Sequence, residues 1–157
     1  MVALDLATFQ QSPSGGNVTG VIFLQLETGP YPEEGWSDFP VIILGWWTEA
    51  HLKIAKRAAR EVVRRFMDGP YAATFSRADA PAVGLEYEKV KRSLLEAAEK
   101  VIAHCAEHKM SNPDLAVLRK NVEKLRSNQP VEPASGSRSG DRESDFSFTL
   151  AVSVAHG

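Results

Sequence analysis

The run His104-Cys105-Ala106-Glu107-His108 sets two imidazoles four residues apart, so one helix face can present both to a single metal ion. The order His-x-x-Glu-His also puts a carboxylate beside the second imidazole, where a metal hydrolase holds its general base. A catalytic site of that kind needs a third protein ligand, and no other segment supplies an obvious one. Cys105 would lie about 100° around the helix from His104, on the apolar stripe, and reads as core. The pattern is therefore expected to be two surface histidines near a helix C-terminus, where positive charge is favoured. No metal and no cofactor is expected.

Nucleophilic chemistry has less support. Cys105 with His51 or His108, and Ser37 with Asp38, lack the flanking residues of a nucleophile elbow. Ser14-Gly15-Gly16 is not followed by the Gly-Lys-Ser/Thr of a phosphate loop. The enzymatic reading that remains is a small hydrolase-like protein with a pocket bounded by Asp38, Asp68 and His51. No motif names its reaction, so a binding function ranks ahead of it.

Charge is segregated along the chain. Residues 1–50 carry Asp5, Glu27, Glu33, Glu34, Asp38 and Glu49 and no Lys or Arg, a formal charge of −6. The remainder carries +4, and the first fifty residues also hold Trp36, Trp46 and Trp47. Acids beside indoles form a recognition signature, since long-range charge steers encounter and buried aromatics anchor it. Tyr31 to Phe39 concentrates it: Trp36 would insert into a partner while Glu33, Glu34 and Asp38 meet basic groups. The plainer alternative folds Trp36 back as a lid on the core, with the acids merely solvated. Trp46 and Trp47 point to opposite sides if their segment is a strand, and both can be buried if it is a helix. The expected contact set is Glu33, Glu34, Trp36, Asp38 and Trp47.

A net charge of −2 argues against a nucleic-acid partner. Lys53, Lys56, Arg57, Arg60, Arg64 and Arg65 would form a basic strip on a helix, read as a solvated face because the aromatics and Gly-rich loops of RNA binders are missing. A single cysteine excludes an internal disulfide. The amino terminus lacks the charged start and apolar run of a signal peptide, and Val41–Trp47 is far short of a membrane span, so a cytoplasmic protein is expected.

Period-two alternation predicts a strand at 2–7, and the unbroken run Val21-Ile22-Phe23-Leu24 predicts a second, more fully buried strand at 18–27, beyond the Ser-Pro-Ser-Gly-Gly connection. Val41–Trp47, β-branched and aromatic, reads as a third strand, with a buried helix start as the alternative. Thr48 would cap a helix over 49–66. Short strands are expected at 71–75 and 82–87 around the turn at 78–81. A second helix carries Val90, Leu94, Ala97, Ala98, Val101 and Cys105 on one stripe. Ser111 or Asn112 caps a third, with Pro113 at its first position. These elements make an α+β domain over 1–126, with a flexible linker at 127–144 and a closing strand at 145–154. The expected architecture is one antiparallel or mixed sheet of about five to six strands, with three helices mainly on one face.

Two stretches, Glu34-Gly35-Trp36-Ser37-Asp38-Phe39-Pro40-Val41-Ile42-Ile43-Leu44-Gly45-Trp46-Trp47 and Phe66-Met67-Asp68-Gly69-Pro70-Tyr71, carry a resemblance. They look like small α+β proteins encoded beside bacterial polymorphic or contact-dependent toxins, the immunity-protein class. The resemblance spans about residues 18–110. It implies a non-catalytic cytosolic protein that binds a cognate toxin and blocks its active site or an exosite. A homodimer with Trp46 or Trp47 at the two-fold is a further expectation.

Overall fold

The computed structural model describes residues 1–56, 61–78, 87–127 and 147–154, with the side chains of 76–78, 87–88 and 147–154 left aside. Both amino-terminal strands form, and the second is one-sided where its unbroken apolar run suggested fuller burial. In β2 (Val18–Leu26), Val18, Gly20, Ile22, Leu24 and Leu26 turn inward, while Val21 and Phe23 are only half-buried. β1 (Val2–Gln11) pairs with it antiparallel, from Val2 opposite Leu24 to Gln11 opposite Val18. An irregularity between Asp5 and Gln10 interrupts the ladder, and the Thr8 hydroxyl fills the gap by accepting the Val21 N–H at 2.8 Å. Phe9 is thereby turned into the core against Gly20, where any Cβ would collide with its ring. β3 (Gly29–Tyr31) and β4 (Ser37–Asp38) both add to the free side of β2, completing the first sheet.

The segment 41–47 is helical, which corrects the expected strand. Helix α1 runs Pro40–Ala55, with Pro40 at its first turn, where a fixed φ and a missing N–H cost nothing. Its apolar residues face all round because it lies in the core, packed against β2, β5, α2 and α3. Thr48 is therefore no cap. It lies inside α1 and donates to the Leu44 carbonyl at 2.7 Å. Asn121 of α3 (Asp114–Ser127) donates to Gly45 O and Thr48 Oγ1, both at 3.2 Å, so the α1–α3 contact keeps its buried polar atoms satisfied.

The expected helix over 49–66 ends at Ala55, and Glu61–Arg65 is strand β5. Glu61, Val63 and Arg65 are exposed while Val62 and Arg64 are buried, the period-two pattern of a half-buried strand. The basic strip is consequently not a helix face: Lys53 and Lys56 end α1, and Arg64 is a buried strand residue. β6 (Tyr71–Ala78) pairs antiparallel with β5 and with β7 (Ser147–Val154), which lies along it from Ser147 opposite Ala78 to Val154 opposite Tyr71. The strands thus form two antiparallel sheets instead of one of five to six strands. The separation follows from α1: once 41–47 is helical, no strand bridges β4 to β5.

α2 (Tyr87–Glu107) buries Val90, Leu94, Ala97, Ala98, Val101 and Cys105. Asn112 turns the chain into α3, its Oδ1 accepting the Asp114 N–H at 2.7 Å, and Pro113 immediately precedes the first helical residue, Asp114. Arg57, Arg60, the turn residues 79–81, the segment 82–86 and the linker 128–146 lie outside the described residues. Among the described residues, no helix is long and apolar enough to cross a membrane.

Candidate protein-binding surface

The Tyr31–Phe39 loop is fixed by one carboxylate. Asp38 is 3% exposed and accepts four N–H groups: Phe39 N on Oδ1 at 2.8 Å, and Met67 N, Asp68 N and Trp36 Nε1 on Oδ2 at 2.9, 3.2 and 3.2 Å. Two of these donors belong to the β5–β6 turn, Met67–Pro70, which closes through Phe66 N to Tyr71 O at 3.1 Å. A tight turn leaves backbone N–H groups without ladder partners, and the carboxylate takes them. The two sequence stretches behind the immunity-class resemblance are therefore one contact: the first supplies the acid and the second the donors.

Aromatic packing reinforces the joint. Trp36 meets Tyr71 edge-to-face with centroids 5.0 Å apart, and Phe66 at 6.5 Å. Tyr31 meets Phe66 at 6.0 Å and Tyr71 at 6.1 Å, and Trp47 meets Phe66 at 5.2 Å. The Tyr31 hydroxyl donates to Ala72 O at 3.0 Å and accepts Ala72 N–H at 3.1 Å. Gly69 has φ +85°, and a Cβ there would lie 2.8 Å from the Tyr71 ring, so the turn needs glycine both for conformation and for room.

The expected contact residues separate into two groups. Glu33 and Glu34 are exposed at the loop tip, and Trp36 is half-buried, part lid and part surface. Asp38 and Trp47 are interior, which corrects their place in the set. The Asp38 carboxylate is consumed by its four donors. Trp47 is 0% exposed, and its indole N–H donates to Arg65 O at 3.1 Å. The exposed indole of the pair is Trp46, at 46%. Sequence reading left Met67, 41% exposed, out of the contact set and placed Asp68, also exposed, only in the enzymatic pocket, whereas the Asp38 anchor holds both beside the acidic loop. The available signal was the turn triplet Asp68-Gly69-Pro70, which a hairpin presents at its tip.

His51 and the enzymatic pocket fare differently. His51 is 2% exposed, and Arg64 Nη2 donates to its Nδ1 at 2.9 Å. Burial first, then the charges of Arg64 and Lys91, push the imidazole down to about 2. It is held neutral, with Nδ1 as acceptor, because a guanidinium can only donate. Arg64 lies with its guanidinium carbon 4.0 Å from the Phe75 ring centroid and 5.8 Å from that of Trp47. His51 is thus engaged with Arg64 while the Asp38 carboxylate is engaged with a turn. The open cleft of about 480 Å³ lies elsewhere, between β1 and α2, lined among others by Leu4, Leu6, Glu96 and Lys100.

At the end of α2, the His104 and His108 rings stack 4.1 Å apart, and Phe9 meets His104 edge-on at 5.5 Å. Cys105 is buried, which raises its thiol. Among the described residues, no three His, Cys, Asp or Glu side chains come together as a metal site. No protein-family model matches this chain, and no curated protein and no solved structure does either.

Proposed function

We propose that this protein is a non-catalytic binder of another protein, and that it acts as an immunity protein neutralising a cognate bacterial toxin. The observation that carries this reading is the Asp38 anchor, which holds two loops from different sheets as one platform. Glu33, Glu34 and Asp68 project from it beside Met67 and the half-buried Trp36. A backbone already fixed loses less entropy on association, so acids carried on an anchored platform favour binding over a mobile loop of equal charge. A toxin that attacks nucleic acid is expected to be basic, and such a partner is steered by this charge. The enzymatic alternative has less in its favour, because both of its interior residues are already committed within the fold.

The test is titration against the product of the adjoining gene, followed by surface plasmon resonance. Replacing Glu33 and Glu34 together by Gln is expected to slow association and weaken its salt dependence, with dissociation little changed. Trp36→Ala is expected to speed dissociation. Equal kinetics for the native protein and both variants would overturn the reading.

A further inference from the structure

The geometry points to a two-histidine chelate for a borderline divalent cation, such as zinc, nickel or copper, at the C-terminal end of α2, between His104 on the helix and His108 just beyond Glu107. His104 and His108 share one helix face, and their rings lie side by side, 4.1 Å apart and within 25° of parallel. His108 Nδ1 is 3.0 Å from the His104 carbonyl oxygen. A carbonyl only accepts, so Nδ1 carries the proton, and the lone pair of the neutral ring sits on Nε2. A backbone carbonyl on the far nitrogen is how metal-binding histidines are commonly oriented. Phe9, edge-on to His104, restrains the first ring from the sheet side.

Bond lengths of about 2.0–2.1 Å to a tetrahedral ion place two ligand nitrogens about 3.3 Å apart. Rings stacked at 4.1 Å within 25° of parallel keep their in-plane lone pairs apart, so both side chains must swing out of the stack about their side-chain torsions to converge on one ion; the i, i+4 spacing lets them do so without a change of helix register. The position also suits a cation, since the helix dipole presents its negative end there. His108 is exposed and His104 half-buried, so the ion would keep its remaining positions for water or for a ligand from another molecule. Cys105 is buried in the core, and among the described residues no third metal-binding side chain joins the pair. Neutral imidazoles favour these ions over calcium or magnesium, which take oxygen ligands.

The experiment titrates the full chain with nickel, zinc and calcium chlorides by calorimetry at pH 7.5. The controls are His104→Ala, His108→Ala and His156→Ala. One nickel or zinc per chain is expected, with calcium inert. Either of the first two substitutions should weaken binding at least about tenfold, because a lone imidazole loses the chelate. His156→Ala should leave it unchanged. Electron paramagnetic resonance of the copper-loaded protein should report two coordinating imidazoles, and far-ultraviolet dichroism checks that the variants retain their helices. Absence of saturable binding, binding that survives both His104→Ala and His108→Ala, or loss in His156→Ala would overturn the assignment.

Discussion

The pair of His51 and Arg64 makes stability depend on pH in a calculable way. His51 is held neutral in the folded protein, its affinity for protons lowered to about 2 by burial and by the neighbouring cations. In the unfolded chain the same ring titrates near the ordinary histidine value of about 6.5. Above about pH 6.5 both states leave it neutral, and the full stability is present. As the pH falls below that, only the unfolded chain takes up the proton, so stability is lost progressively towards the folded value. Linkage gives a loss of about 1.9 kcal/mol between pH 7 and pH 5 from this one group. The figure does not depend on the exact folded value, provided that lies well under 5. The assay is urea unfolding of the native protein and of His51→Gln at both pH values. Both share every other titratable group, so the difference between their pH dependences isolates the imidazole. The variant is expected to start less stable, because it removes the imidazole that accepts from Arg64 Nη2, yet to lose about 1.9 kcal/mol less on acidification. Equal losses in the two proteins would refute the assignment of a neutral buried His51.

Asp38→Asn preserves shape but turns an acceptor into a donor facing Trp36, Met67, Asp68 or Phe39. It is expected to cost about 2–4 kcal/mol in urea unfolding, with a result under about 0.5 kcal/mol counting against the anchor. The neighbouring indoles should respond oppositely to truncation. Trp47→Ala, in the core beside Phe66, is expected to cost about 3–5 kcal/mol, and Trp46→Ala, on the surface, within about 0.5 kcal/mol. Similar costs for both would contradict the helical orientation of α1.

How much of this was legible depended on whether a pattern repeats. β1, α2 and α3 announce themselves because their apolar residues recur at a period that only one element satisfies. Val41–Trp47 has no polar interruption, so its period is unreadable, and β-branched residues tip the reading to a strand. The overriding signal was Pro40, which takes the first turn of α1. Arg64 misled in the opposite direction. A cation spaced three and four residues from other cations looks like an exposed helix face, whereas stacking on Phe75 and bonding to His51 allow it to be a buried strand residue.

The acidic loop was visible in sequence, but the job of each acid was not. Chain position ranks Glu33, Glu34 and Asp38 alike, since all three lie within six residues around Trp36. What separates them is a turn some thirty residues later, whose N–H groups need an acceptor and find Asp38. The exchange also moves the surface. Asp38 leaves the solvent-facing charge, Asp68 of that same turn replaces it, and Met67 arrives with an apolar side chain. The platform therefore keeps three exposed carboxylates, now drawn from two loops, and its geometry rests on the one acid that no partner can touch.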